Sequence, residues 1–152
     1  MIVEVNQTNI MKAASVHSVS WQESHGSFCA PEFVKLHTPA HQKEYLQRKI
    51  DNGTVVYMLL EKEPLGIVSV TGSLIEDLYV LPKYQNQGYG TQLLQFAIDR
   101  CDSIPTLWIL ENNVIAEKLY RKMGFKETGR INTVAGGLDE IEFALANLTK
   151  AS

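Results

Sequence analysis

From Leu74 to Cys101 the chain reads as an apolar strand, a glycine-bearing loop and an amphipathic helix in direct succession, and the rest of the fold has to be built around that unit. Leu74 to Leu81 is the strand, stopped by Pro82, whose ring cannot donate to a sheet ladder. Tyr89 to Cys101 places Leu93, Leu94, Ala97, Ile98 and Cys101 at the spacing of a helix buried along one face. Between them lies Gln85-Asn86-Gln87-Gly88-Tyr89-Gly90. Such a loop can turn several backbone amides toward one point, and the helix dipole adds partial positive charge there, so a phosphate or pyrophosphate is a natural guest. Glycine suits the role because a Cβ would hold the anion away. A dinucleotide-binding GxGxxG needs a third glycine where Leu93 stands, and no Walker-type Gly-Lys-Ser/Thr follows. A glycine turn that merely packs strand against helix is the other reading of the loop.

Upstream, Ile2, Val3 and Val5 read as a first strand, and Thr8 as the cap of a helix from about Asn9 toward Trp21. Gln22 to His37 is irregular and suits a loop or short helical pieces. Thr38 followed by Pro39 is a helix start, with the end expected near Gly53 and Tyr45, Leu46, Lys49 and Ile50 roughly on one side. Val55 to Glu61 and Leu65 to Thr71 form two antiparallel strands around a turn at Lys62–Pro64. Downstream, Thr106 to Leu110 is a buried strand. A helix from Asn113 to Met123 follows, capped by Asn112 or Asn113, with Arg121 and Lys122 in its last turn and Gly124 just beyond. Phe125 to Thr133 and Leu138 to Leu145 close the chain as a hairpin around Ala135, Gly136 and Gly137.

At 152 residues one domain spanning 1–152 is expected, with a complete core that needs no metal or disulfide. Cys29 and Cys101 are too few and too far apart for a zinc knuckle or a disulfide framework. A net charge of −3 with scattered Lys and Arg offers no basic stripe for nucleic acid. No run approaches the roughly 20 apolar residues of a membrane span, and Met1 to Asn6 lack the features of a signal peptide, so a cytoplasmic location is expected. His37 and His41 are four apart, but Thr38 and Pro39 place His37 before the helix, which argues against a metal pair. Trp108 reads as core and Trp21 as either core or surface platform.

Two blocks taken together resemble the GNAT superfamily of N-acetyltransferases. The first is Leu78-Tyr79-Val80-Leu81-Pro82 followed by QxxGxG and Leu93-Leu94; the second is Asn113 through Phe125, with Asn, Ala, Tyr and Gly-Phe in the family's order. The likeness is specific from about Gly66 to Glu127. It implies an α/β (α+β) fold: a GNAT-like mixed seven-stranded sheet flanked by about four helices, whose parallel central strands splay around the pantetheine arm of acetyl-CoA. By the same resemblance, backbone near Leu78 and Val80 would pair with pantetheine, and the amides of Gln85, Asn86, Gln87, Gly88, Tyr89, Gly90 and Thr91 would hold the pyrophosphate. Gln85 stands where many members have Arg, which removes a cation and leaves most of the attraction to backbone amides.

The implied reaction is direct attack of an amine on the thioester, with acetyl-CoA as cosubstrate and no metal. An alkyl amine of pKa ~10.4 is almost wholly protonated at pH 7, so a base is needed. Glu76 and Asp77 are adjacent near the strand's end, and alternation would send them to opposite faces. Glu76 shares its face with Leu78 and Val80 and is the preferred base; a solvated carboxylate is the alternative, with ordered water doing the same work. Tyr120 matches the family's usual acid, Val80 its oxyanion-binding amide, and Asn113 a residue at the cleft; a core role for Tyr120 and plain capping by Asn113 are the competing readings. The acceptor is an amine on a small molecule or peptide, and its pocket would be shaped by Trp21 to Tyr45 and the Asn132 to Leu138 hairpin. The rival classes are an acyl-CoA-binding module without turnover and a structural protein whose glycine loop only packs. A homodimer through the last strand is a further expectation.

Overall fold

The computed structural model describes residues 1–27, 29–134 and 137–146. These described residues form a seven-stranded sheet in the order β1-β2-β3-β4-β5-β7-β6. The strands are β1 (Ile2–Glu4), β2 (Val55–Leu60), β3 (Pro64–Thr71), β4 (Leu74–Val80), β5 (Thr106–Leu110), β6 (Phe125–Thr133) and β7 (Asp139–Leu145). Five α-helices accompany them among the described residues: α1 (Ile10–His25), α2 (Pro31–Lys35), α3 (Pro39–Asp51), α4 (Tyr89–Ile98) and α5 (Val114–Lys122). The helix beyond the expected four is α2, a five-residue piece in the stretch that sequence leaves irregular. Ala135 and Gly136, the centre of the expected closing turn, lie outside the described residues.

Each face of the sheet carries its own core. Ile10, Ala13, Ala14 and Val16 of α1 and Leu46 of α3 cover one face over Val56, Met58 and Ile67. Leu93, Leu94 and Ala97 of α4 and Tyr120 of α5 cover the other, over Val68, Ile75, Leu107 and Phe143. Gly66 on β3 permits the second packing: a Cβ there would stand 2.7 Å from the Tyr79 carbonyl oxygen and 2.8 Å from Leu93. Close packing allows no such overlap, so α4 can sit directly on the strand only over glycine.

Local signals hold with three adjustments. The Thr38 hydroxyl accepts from the His41 amide, as the Thr-Pro start implies. Thr8, by contrast, does not cap α1: its hydroxyl donates to the Asn6 side chain, Asn9 takes the cap position, and the helix continues to His25. The α4 helix ends at Ile98, three residues short of Cys101, whose thiol instead meets the carbonyls of Ala97 and Ser73. Finally, β7 runs antiparallel between β5 and β6. Both of its edges are therefore paired within the chain.

Candidate active site

The sheet opens between β4 and β5. These neighbours are parallel and share a single registered pair, Leu74 with Thr106, after which the strands part. On its other edge β4 pairs with β3 through to Gly66–Val80, and the Leu81 amide donates to Leu65. Antiparallel alternation then turns the Val80 amide away from β3, toward the gap.

Past that gap the chain makes a 3₁₀ turn at Pro82–Tyr84 and enters the glycine loop. Asn86 and Gly88 take left-handed backbone angles, φ 64° and 89°, and Gly88 is the cap residue of α4. Nothing lies within 4 Å of where a Gly88 Cβ would stand. Among the described residues, the amides of Asn86, Gln87, Gly88, Tyr89, Gly90 and Thr91 donate to no backbone acceptor, whereas the Gln85 amide donates to Pro82 and the Gln92 amide to Gly88. The unpaired donors thus run from 86 to 91, one residue shorter than the resemblance implies. The Gln85 side chain donates to the Val80 carbonyl at 3.1 Å, so it braces the end of β4.

A cavity of about 360 Å³ lies beside the gap. Its floor is β4 and β5, including Glu76, Asp77, Leu78 and Trp108; its walls include Trp21, His25 and Phe33 on one side and Leu138 and Glu140 on the other, with Asn113 and Tyr120 at the α5 end. Trp108 is a cavity residue rather than core, because β5 alternates: Leu107 and Ile109 are buried and Trp108 faces the other way, half-buried. The Asn113 side chain accepts from the Ala116 amide, so it caps α5 while also lining the cavity. Trp21 is stacked on both faces, by His25 at 4.1 Å and His37 at 3.5 Å, and so contributes an edge to the wall.

Tyr120 is 9% exposed, packs edge-on against Phe125, and its hydroxyl takes part in no hydrogen bond among the described residues. Burial, reinforced by the charge of Asp77, pushes its phenol pKa up. It therefore stands fully protonated at neutral pH, a hydrogen-bond donor without a partner inside the cavity.

Glu76 and Asp77 do not diverge as alternation implies. The β3–β4 register moves from Ile67–Tyr79 to Ser69–Glu76, so Asp77 and Leu78 together face Val68 in a bulge, with Asp77 at φ 54°. An extra residue flips the alternation, and both carboxylates reach the same cation: Lys49 Nζ donates to Glu76 Oε1 at 2.6 Å and to Asp77 Oδ2 at 2.9 Å. Asp77 also accepts from the Tyr45 hydroxyl at 3.0 Å and the Ser69 hydroxyl at 2.7 Å. Burial would raise the Asp77 pKa, but the charge and hydrogen bond of Lys49, with the Ser69 hydroxyl, outweigh it and hold the carboxyl below its ordinary value. His17 sits behind, its Nε2 3.8 Å from Asp77 Oδ1, with its pKa pushed down to about 4 by burial against the opposing pull of Asp77. His17 is therefore neutral near pH 7, and Lys49 is the cation that keeps Asp77 charged. Sequence reasoning missed this cluster; only the Tyr45–Lys49 spacing on one helix side hinted at it. No group of His, Cys, Asp and Glu among the described residues is arranged to hold a metal, and no helix among them is long and apolar enough to cross a membrane.

A seven-stranded sheet parted at its parallel centre, with a loop after β4 whose amides are unpaired among the described residues, is an acetyltransferase fold. It is shared with YjaB from Escherichia coli in its apo form (TM-score 0.72, 18% identity, 96% of this chain and 97% of that one). It is shared also with the PaiA N-acetyltransferase of Thermoplasma acidophilum in complex with coenzyme A (TM-score 0.69, 16% identity, 93% and 96%). Residues 49–127 match the acetyltransferase (GNAT) domain, and the chain belongs to that family. Among curated relatives, the peptidyl-lysine N-acetyltransferase YjaB of Salmonella typhimurium is 36% identical over 70 residues, 46% of this chain and 48% of the relative. The match thus spans about half of that relative's length.

Proposed function

We propose that this protein transfers the acetyl group of acetyl-CoA directly to an amine, with no covalent enzyme intermediate. The observation that carries the reading is the junction of the three parts: amides free from Asn86 to Thr91, a gap between β4 and β5, and an unpartnered Tyr120 hydroxyl in the cavity beside it. The amides and the α4 dipole suit the pyrophosphate of coenzyme A. Pantetheine would enter the gap along Leu78 and Val80, with Asn113 at the cleft.

In this reading an ammonium gives one proton to Glu76 and becomes a neutral nucleophile. Its nitrogen bonds the thioester carbon, and the oxygen's new charge is met by the Val80 amide; one such donor is worth about 3 kcal/mol in other acyl transfers. The carbon–sulfur bond then breaks, Tyr120 protonates the sulfur, and the second proton lost by nitrogen returns to the phenolate. Burial raises the pKa of the Tyr120 phenol and disfavours a thiolate in the same place, so donor and acceptor remain comparably matched.

The acceptor is an amine on a peptide or small molecule, and the curated relative's name favours a lysine side chain. The test is acceptor-dependent release of coenzyme A thiol, measured with lysine-containing peptides and simple alkyl amines. Thiol release that requires the acceptor and yields an acetylated amine by mass spectrometry is expected. Coenzyme A binding with no acetylated product from any amine would overturn the transfer reading.

A further inference from the structure

Lys49 is on α3, outside the stretch whose residues the family resemblance made candidates, yet it makes the shortest polar contact to the proposed base. Its three donors are all spent: on Glu76 Oε1 at 2.6 Å, on Asp77 Oδ2 at 2.9 Å, and on the Tyr45 hydroxyl at 3.2 Å. The two carboxylates differ in what remains to them. Asp77, 8% exposed, is engaged by Lys49, Tyr45 and Ser69. Glu76, 38% exposed, gives only Oε1 to Lys49, so Oε2 keeps its lone pairs for a guest in the cavity it lines. Of the four carboxylate oxygens of the pair, only Glu76 Oε2 accepts no hydrogen bond among the described residues.

We propose that Lys49 is a positioning residue for acetyl transfer: with Asp77 it fixes the Glu76 carboxylate on the cavity floor, where Oε2 can receive the acceptor's proton. The inference rests on the reading of Glu76 as base. In the step itself the N–H bond of the ammonium breaks, its electron pair stays on nitrogen, and the proton passes to Glu76 Oε2. The Lys49 contact then becomes a cation–neutral hydrogen bond until Glu76 releases that proton to solvent. The β4 bulge is what makes this arrangement, since a regular strand would put the two carboxylates on opposite faces. The other titratable groups around the cluster do not compete for the proton at neutral pH. Tyr45 and Tyr79 are kept protonated by burial and by Asp77, and Tyr120 likewise. Burial holds His17 and His25 toward the neutral form. Glu140 stands on the opposite wall and accepts from Asn132.

The experiment compares wild type, Lys49→Met, Lys49→Arg and Asp77→Asn by kcat and KM for acetylation of a lysine peptide at pH 7. The carbon-13 resonance of the Glu76 carboxyl, assigned with Glu76→Gln, is followed alongside. Removing the ammonium that orients Glu76 should lower kcat at least tenfold in Lys49→Met and shift that resonance, with the acetyl-CoA KM within twofold. Lys49→Arg should restore most of both. Asp77→Asn, which leaves Lys49 to Glu76 alone, should also move the resonance and lower kcat; it keeps the proposal testable if Lys49→Met does not fold. A kcat and a Glu76 resonance unmoved in folded variants would overturn the role. The resonance needs no turnover, so one that shifts in Lys49→Met and returns in Lys49→Arg with no acetylated product would place the failure in the transfer reading and not in Lys49.

Discussion

The two halves of the cavity are built from different materials. On the proposed coenzyme side the candidate groups are main-chain amides from Asn86 to Thr91, ordered by two left-handed residues and the first turn of α4. On the acceptor side they are side chains drawn from four elements: His17 from α1, Tyr45 and Lys49 from α3, Ser69 from β3, and Glu76 and Asp77 from β4. A site made of backbone depends on local conformation and tolerates changes of side chain. A site made of buried charges depends on every partner being present and in the right protonation state, because removing one partner of a buried pair strands the other.

That difference can be broken from either side. The largest effect is expected for Gly88→Val, which puts a β-branched residue at φ 89° and a side chain into the space open above the loop. Calorimetry should find coenzyme A affinity lowered beyond about a thousandfold, while the thermal unfolding of the acceptor side is little changed. Acid should do the reverse. Because the folded pKa of His17 lies below its ordinary value, the native state binds fewer protons than the unfolded chain between about pH 6.5 and 4, so stability is full above that window and is lost as pH falls through it. The 2.5-unit difference between 6.5 and about 4 corresponds to at most about 3 kcal/mol. Urea unfolding at pH 7 and pH 4.5 should show a loss of that order, and His17→Asn should flatten it. Next in size, Tyr120→Phe should keep coenzyme A affinity and lower turnover at least tenfold, about 1.4 kcal/mol; unchanged turnover would remove the acid role. Smallest is Ser69→Ala, which deletes one donor to Asp77 and should lower stability by about 1 kcal/mol in denaturant titration, with coenzyme A binding unaltered.

The same contrast explains what could be read from sequence. The coenzyme half was readable because it is local: strand, proline, glycine loop and helix occupy Leu74 to Ile98 without interruption, and each announces itself through propensity and spacing. Caps at Thr38 and Asn113 were readable for the same reason. The acceptor half was not, because Lys49 meets Glu76 and Asp77 across 27 and 28 residues, and the contact depends on a bulge that no residue type at Asp77 or Leu78 advertises. Trp108 shows the smaller form of the difficulty. The pattern Leu-Trp-Ile-Leu is apolar throughout, so only the folded sheet shows that Leu107 and Ile109 are buried while Trp108 is left half-buried at the cavity. The placement of β7 between β5 and β6 is likewise a property of topology, which the order of strands in the chain does not announce.

The claim on which the rest depends is that the loop before α4 grips a diphosphate through its own amides. Titrating isotopically labelled protein with coenzyme A and following its amide resonances tests this most directly. Large, saturable shifts in residues 86–91, with further shifts along Leu78, Val80 and Asn113, are the expected result, and Lys49 and Tyr45 should stay nearly still. Resonances in that loop that stay in place at saturating coenzyme A would contradict it.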